Sequence, residues 1–557
     1  MKFYQKYDVK VKMRDGVRLS CDVRMPDKNG RYPVILIRTP YNKNIIPDTP
    51  RIKHLLRLME HGYAIVSMDV RGKYESGGAQ SLMALEQEGR DGADTVDWIL
   101  RQRWCDGKVA MTGASYCGFV QIYAAAEHPD GICAITPGVF GNNGFANVVR
   151  KNGVPQIPLL VWAICHGSGR VSKTPLVDWQ KVLTSVPAAE VALRCGVNNR
   201  LIKMLITSNT DGKLWKTFGD TAILDKVRSP VLLTGGWYDL YSSAMIDTFI
   251  RLSQRPEMRD KVKMVFGPWG HNLGLRQIGE LDFGAEAEID MDWLNTQWID
   301  VWTKGKGTHE DWPAVRIFMM GENKWLESDV WPLPGVTPRE MFLSSTLGAN
   351  SVNGDGILTF DACPPEGSPQ DVYEYDPLNP VLTIGGNMLS ANDEMKYGPC
   401  DQTQMEQRDD MLVFTSAELQ STLRIAGTPC LELYIASSAP DTDFVVRLCD
   451  VYPDGRSINL CTGICRTRYR EGLDREVMMT PGKIYKLEIP LDVSANAFLP
   501  GHRIRLEITS SSFPQFMRNH NTGGDNATET EFVTARQTVM HSLQHPSRLI
   551  MPVLDLI

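Results

Sequence analysis

Three residues stand out for the chemistry they could do together: Ser115, Asp239 and His271. A serine hydroxyl is a weak nucleophile until a base removes its proton. A histidine can be that base, and an aspartate can hold its tautomer and stabilise the cation that forms. Such a set would cleave an ester or amide through an acyl-enzyme. No metal or cofactor is required for that reaction, and none is expected.

The spacing agrees with such a set. Ser115 lies in Met111-Thr112-Gly113-Ala114-Ser115-Tyr116-Cys117-Gly118-Phe119, between an apolar strand pattern and a helical one. A nucleophile elbow belongs at such a junction, because the turn lifts the hydroxyl above the sheet edge. Small neighbours are needed there, and Gly113 and Gly118 supply them. The second glycine of the usual Gly-x-Ser-x-Gly is replaced by Cys117, so the match is Gly-x-Ser-Tyr-x-Gly. Taken alone that string also describes a structural serine in a turn. Its partners settle the reading. Asp239 follows the run Val231-Leu232-Leu233 and the turn Gly235-Gly236-Trp237-Tyr238. His271 follows Met264-Val265-Phe266 and Gly267-Pro268-Trp269-Gly270. The order Ser, Asp, His, with each acid or base just past a strand's carboxyl end, is what an open α/β sheet provides.

An oxyanion forms as the serine attacks, and it needs donors. One is the backbone N–H of Tyr116, next to the nucleophile. The second should come from Arg38-Thr39-Pro40-Tyr41-Asn42-Lys43, the loop after an early strand, and is assigned to the Tyr41 hydroxyl. Spacing alone leaves a packed aromatic as an equal reading of Tyr41. Asp69 and Arg71 are read as a loop ion pair that braces the site. The other nine histidines compete poorly with His271. His166 among them reads as a surface or packing residue.

The elements that must position these residues can be read from the hydrophobic pattern. Tyr7 to Met13 and Val17 to Met25 flank Asp15-Gly16, a hairpin signal. Pro33 to Ile37, Tyr63 to Met68 and Val109 to Thr112 are short apolar runs, expected as buried parallel strands. Helical patterns at His54 to His61, at Glu88 to Ile99 and from the serine to Ala126 alternate with them. Residues 146–224 carry helical stretches, such as Leu176 to Thr184 and Ala188 to Leu193, with no clear buried strand. Pro230 to Gly235 and Lys263 to Gly267 return to the sheet. The helical block is therefore expected as a cap inserted over it. Beyond about Pro334 the strands are short and alternating, for example Leu431 to Ala436, Asp443 to Val451, Ile484 to Leu491 and His502 to Ile508. That is the pattern of an all-β sandwich without a long helix. The expected division is 1–145 and 225–334 for the α/β domain, 146–224 for the cap, and 335–557 for the β domain.

Composition narrows the class. The 557 residues are too many for one core. The balance of 59 basic and 66 acidic side chains, net −7, offers no surplus for nucleic acid. The start, Met1-Lys2-Phe3-Tyr4-Gln5-Lys6, lacks the apolar core of a signal peptide. No segment has the roughly 20 apolar residues that span a bilayer. The twelve cysteines form no Cys-x-x-Cys pair, and Cys461 and Cys465 read as buried free thiols. A cytoplasmic location, a small-molecule partner, and neither nucleic acid nor membrane are the expectations. Homo-oligomerisation is left open.

At these residues the chain resembles the cocaine esterase-like and X-Pro dipeptidyl-peptidase-like serine hydrolases, often called the CocE/NonD group. The resemblance rests on Arg-Thr-Pro-Tyr ending at Tyr41, Asp-Val-Arg-Gly at 69–72, Gly-Ala-Ser-Tyr-Cys-Gly at 113–118, Gly-Gly-Trp-Tyr-Asp ending at Asp239 and Gly-Pro-Trp-Gly-His ending at His271. It continues into the β domain through Asp376 to Val381, Ser511 to Phe516, Arg518-Asn519 and His545 to Arg548. It implies an α/β-hydrolase domain, an inserted helical cap and a C-terminal jelly roll. It also implies a tyrosine hydroxyl in the oxyanion hole, which favours Tyr41 as a donor. Esterase, aminopeptidase, β-lactam acylase and α-amino ester hydrolase activities occur in the group, so the mechanism is better fixed than the substrate. Its α-amino ester hydrolases carry extra acids that bind an ammonium. Here Asp239 is followed by Leu240-Tyr241-Ser242-Ser243, with no acidic pair, which favours a neutral or aromatic acyl group. Tyr241 falls where the cocaine esterase-like members carry a pocket aromatic. Trp162 is a second pocket candidate, or else part of the cap's own core. The rival readings are an acyltransferase or aminopeptidase on the same three residues, and a binding protein that uses only its β domain.

Overall fold

A computed structural model describes residues 3–44, 49–80, 83–167, 169–361, 370–389 and 396–555. The first sheet opens with the expected hairpin, β1 (Tyr4–Lys12) and β2 (Arg18–Met25), paired antiparallel. Then follow β3 (Tyr32–Thr39), α1 (Thr49–Glu60), β4 (Ala64–Asp69), α2 (Leu85–Leu100), β5 (Cys105–Ala114), α3 (Tyr116–Glu127) and β6 (Ala134–Gly138). The strands β4 and β6 are buried at every position, as their unbroken apolar runs require of a sheet covered on both faces.

After β6 the chain leaves the sheet. It forms a two-residue hairpin, Arg150–Lys151 with Val154–Pro155, and then short helices. The main ones are α4 (Ile157–Gly167), α5 (Trp179–Thr184) and α6 (Arg200–Thr207). The helix expected from Leu176 begins later. Asp178 caps it by accepting from the Lys181 N–H at 2.9 Å, and Leu176 stands fully exposed ahead of the cap. From Ala188 the backbone makes one 3₁₀ turn before a single α turn, Val191–Arg194. The chain re-enters the sheet as β7 (Val231–Gly236), followed by α7 (Ser242–Ser253), β8 (Val262–Gly267), α8 (Met291–Lys304), β9 (Val315–Met319) and β10 (Lys324–Ser328).

The ten strands lie in the order β1-β2-β4-β3-β5-β6-β7-β8-β9-β10. Every pairing from β4 to β9 is parallel. The hairpin β1–β2 and the last strand β10 close the two edges in antiparallel fashion. The carboxyl ends of the parallel strands therefore gather along one rim.

From Val336 onward, fourteen strands join a second sheet system among the described residues. Its ladders are antiparallel apart from the single pair Ile357–Thr415. Among the described residues, helical turns there are confined to two 3₁₀ segments, Met405–Gln407 and Thr467–Tyr469. This domain grips the helical insertion through the backbone. Ile157 N–H donates to Gln515 O at 3.1 Å, Met517 N–H to Pro155 O at 3.0 Å, and Ala189 N–H to Ala527 O at 2.8 Å. No helix among the described residues is long and apolar enough to cross a membrane.

Candidate active site

Ser115 sits at the junction of β5 and α3 with φ 60° and ψ −127°. A non-glycine residue there carries strain of order 1–3 kcal/mol, and the surroundings must enforce it. Three backbone hydrogen bonds do so. Ser115 N–H donates to Gly138 O at 2.9 Å, and Ser115 O accepts from Gly118 N–H at 2.7 Å and Phe119 N–H at 3.1 Å. The glycines are required by space. A Cβ on Gly113, at φ 137°, would lie 2.6 Å from Cys117 Cβ, and one on Gly118 would lie 2.8 Å from Gly138 O. Cys117 can occupy a slot that is usually glycine because Gly113 opposite it has no side chain.

The acid and the base sit on two interlocked turns. Trp237 N–H donates to Gly267 O at 3.0 Å and Tyr238 N–H to Trp269 O at 2.9 Å. A Cβ on Gly236 would lie 2.1 Å from Trp269 O, and one on Gly267 would lie 2.4 Å from the Trp269 ring. Both indoles are fully buried and satisfied, Trp237 by Phe318 O at 2.7 Å and Trp269 by Ala287 O at 2.9 Å. On this base Asp239 Oδ2 meets His271 Nδ1 at 2.6 Å, and Asp239 Oδ1 accepts from Tyr241 N–H at 2.9 Å. The carboxylate is fully buried and the imidazole is 18 % exposed. With Nδ1 committed to the carboxylate, Nε2 is the nitrogen left for another partner.

Ser115 and His271 open onto one cavity of about 150 Å³. Tyr116, Phe119 and Tyr241 line it from the α/β side, and Val148, Val149, Leu159, Trp162, Ala163, Leu201, Ile202 and Leu205 line it from the insertion. No carboxylate or ammonium appears among its described lining residues. Tyr241 and Trp162 are both among the residues that line it. The Tyr241 ring lies 6.1 Å from that of His271, centre to centre. Burial first, then the Asp239 charge, holds the Tyr241 hydroxyl protonated. Trp162 also donates its indole N–H to the Tyr41 hydroxyl at 3.3 Å.

The Tyr116 side chain is anchored at its hydroxyl. Its hydroxyl donates to Glu88 Oε1 at 3.1 Å and accepts from Met83 N–H at 3.2 Å. Glu88 is held in turn by Arg38 at 2.7 Å, with both side chains fully buried. Arg38 lies near the end of β3, a short way before Tyr41, so this buried pair sits between the elements that carry the two expected oxyanion donors.

The ion pair expected between Asp69 and Arg71 does not form. Arg71 pairs with Asp91 at 2.6 Å and Asp15 at 2.8 Å. Asp69 instead accepts from Lys43 N–H at 2.6 Å, with Lys43 Nζ 3.6 Å away. Asp69 is the last residue of β4, whereas Arg71 lies in the turn beyond it, where strand alternation no longer sets the direction of the side chains. Burial pushes the Asp69 carboxyl up to about 7, against the pull of Lys43.

Residues that spacing did not single out complete the site. Asn387, in the β domain, donates through Nδ2 to Trp237 O and, at 3.4 Å, to Asp239 O. Leu389 reaches the cavity from the same segment. His166 packs against Tyr41 and Trp162, with ring centres 5.2 and 5.3 Å away. Burial, reinforced by Lys73, lowers its pKa to about 4, so the ring is neutral. No local pattern announces contacts made across more than a hundred residues. His166 had one usable signal, its place four positions after Trp162 on a helix face.

Comparison with known proteins finds two family matches along the chain. Residues 15–272 match the family described as X-Pro dipeptidyl-peptidase (S15 family), and residues 307–550 match the X-Pro dipeptidyl-peptidase C-terminal non-catalytic domain. The chain is 33 % identical to the cocaine esterase of Rhodococcus sp. (strain MB1 Bresler), over 98 % of each chain. An aminopeptidase from the marine sediment archaeon Thaumarchaeota archaeon superposes with a TM-score of 0.87 at 25 % identity, covering 99 % of this chain and 97 % of that one. An α-amino acid ester hydrolase superposes with a TM-score of 0.88 at 24 % identity, covering 99 % and 96 %, and this likeness is one of fold.

Proposed function

Because the chain belongs to the CocE/NonD family of serine hydrolases, acting on ester or amide bonds, we propose that it hydrolyses a small-molecule ester or amide with a neutral, aromatic acyl group. The reaction runs through an acyl-enzyme on Ser115. Ser115 attacks the carbonyl as His271 Nε2 takes its proton. Asp239 fixes the imidazole tautomer and stabilises its cation. The Tyr116 amide and the Tyr41 hydroxyl hold the oxyanion. His271 then protonates the leaving group, and water releases the acyl group.

The observation that carries the mechanism is the 2.6 Å contact of His271 Nδ1 with a fully buried Asp239, on the wall of the cavity that Ser115 shares. The acyl preference rests on that cavity. Its volume is about that of a cavity that takes a benzene ring, roughly 150 Å³. Its described lining residues hold no carboxylate to pair with a substrate ammonium, which weighs against amino esters and X-Pro peptides.

We also propose the domain division 1–145 with 225–334, 146–224, and 335–557. The second segment is read as a helical cap over the pocket and the last as a jelly roll that braces it. Eleven cysteines among the described residues form no disulfide, which supports a reducing, cytoplasmic setting.

A panel of p-nitrophenyl esters and anilides with varied acyl groups tests the reading, with Ser115→Ala as the blank. Benzoyl-type esters should lead the panel, and Ser115→Ala should lose about 10⁴ to 10⁶ in rate while staying folded. An active Ser115→Ala protein would end the assignment. A preference for aminoacyl substrates would end the claim about the acyl group alone.

A further inference from the structure

We propose that Trp162 is a positioning residue of the oxyanion hole, whose indole N–H aims the Tyr41 hydroxyl at the substrate oxygen. This rests on the reading of Tyr41 as an oxyanion donor. It adds a part of the machinery that comes from the helical insertion.

The hydrogen-bond roles are fixed by chemistry. An indole nitrogen can only donate, whereas a phenolic oxygen has one hydrogen and two lone pairs. In the 3.3 Å contact between Trp162 Nε1 and Tyr41 Oη, tyrosine must therefore be the acceptor. One lone pair is taken, and the Tyr41 hydrogen has to point away from the indole. A hydroxyl that accepts a hydrogen bond is also a stronger donor, by roughly 10–30 % per bond.

The indole is held firmly enough to do this. Its ring stacks on that of Tyr116, with centres 6.2 Å apart and planes at 26°. His166 packs on it at 5.3 Å and meets the Tyr41 ring edge-on at 5.2 Å. His166 is itself fixed. Its Nδ1 lies 2.8 Å from Ser172 Oγ, and its carbonyl accepts from Lys73 Nζ at 2.8 Å and Gln80 Nε2 at 3.0 Å. Trp162 thus touches the ring of Tyr116, whose amide is one proposed donor, and the hydroxyl of Tyr41, which is the other.

A mere wall of the acyl pocket would behave differently. It would change KM, and would do so whether or not Tyr41 has its hydroxyl. A positioning residue changes kcat, and only through Tyr41. A double-mutant cycle on p-nitrophenyl benzoate separates the two. Tyr41→Phe should lower kcat by about 10² to 10³. Trp162→Phe should lower kcat about tenfold when Tyr41 is present, the worth of one hydrogen bond, and less than about twofold in the Tyr41→Phe background. The inhibition constant for phenylboronic acid, which forms a tetrahedral adduct on the serine, should rise with the loss in kcat. If Trp162→Phe does not fold, benzothienylalanine at position 162 removes the N–H and keeps the ring system. Equal kcat losses in both backgrounds, or no kcat loss at all, would overturn the role of Trp162 and leave Tyr41 as a donor. A silent Tyr41→Phe would remove the donor itself, and the role of Trp162 with it.

Discussion

Two Ser-His-Asp groups can be compared among the described residues, and they are wired differently. The first is Ser115, His271 and Asp239 at the rim of the parallel sheet. The second is Ser345, His541 and Asp371, buried in the β domain. Their composition is the same, but their wiring differs. In the first, Asp239 takes Nδ1 of His271 and leaves Nε2 for a serine. In the second, one nitrogen does both jobs. His541 Nε2 lies 3.0 Å from Asp371 Oδ2 and 3.2 Å from Ser345 Oγ, while Nδ1 is buried without a partner. The Ser345 hydroxyl already gives its proton to Asp371 Oδ1 at 2.8 Å. It cannot be relayed through the imidazole, and the site is closed to solvent. Ser115 by contrast sits at positive φ on a cavity wall. A catalytic constellation is defined by which atom faces which, and by access, more than by residue type.

Paired substitutions test that contrast. Asp239→Asn should lower kcat by about 10³ to 10⁴ with little change in melting, because the amide no longer holds the right tautomer. Asp371→Asn should leave kcat within about twofold and lower stability by about 1–3 kcal/mol, since buried donors lose their acceptor. Steady-state kinetics and denaturant melts on both proteins would show it. Two stability variants, or two activity variants, would erase the distinction.

Ser345→Ala is the milder probe of the second cluster. It should cost about 1–2 kcal/mol in a urea melt and nothing in turnover. A loss of activity beyond the loss of folded protein would mean that the β domain takes part in the chemistry.

The first cluster was legible in the sequence, and the second was not. Ser115, Asp239 and His271 each follow a strand run and a glycine turn, and those glycines prove to be sterically required. Local spacing could therefore point to them. Asp371 and His541 lie on two strands and Ser345 just past the end of a third, with no local signature, so only the fold could bring them together. The same reason hid Asn387 and Leu389, which reach the acid turn and the cavity from about 150 residues away in the chain. The helix α4, where Trp162 and His166 lie, has few polar residues to give it a face, so its periodicity carries little signal. The insertion was legible as helical texture, but its individual helices and their caps were not.

The smallest effect comes from a third histidine. His166 is neutral when folded, with its pKa lowered from 6.5 to about 4 by burial and Lys73. Below pH 6.5 the unfolded chain takes up a proton that the folded protein refuses. Stability should therefore fall as pH drops from 7 towards 4, by about 1–2 kcal/mol at pH 5 from this residue. His166→Gln should flatten that part of the stability profile. An unchanged slope would place the acid sensitivity elsewhere.

The central claim is that Ser115, of the two clustered serines, is the nucleophile. Labelling the intact protein with a fluorophosphonate and mapping the adduct by peptide mass spectrometry tests it directly. One adduct per chain on the peptide that carries Ser115, absent in Asp239→Asn on the same timescale and present in Asp371→Asn, is the expected result. An adduct on Ser345, or an unlabelled protein that still turns over ester, would contradict it.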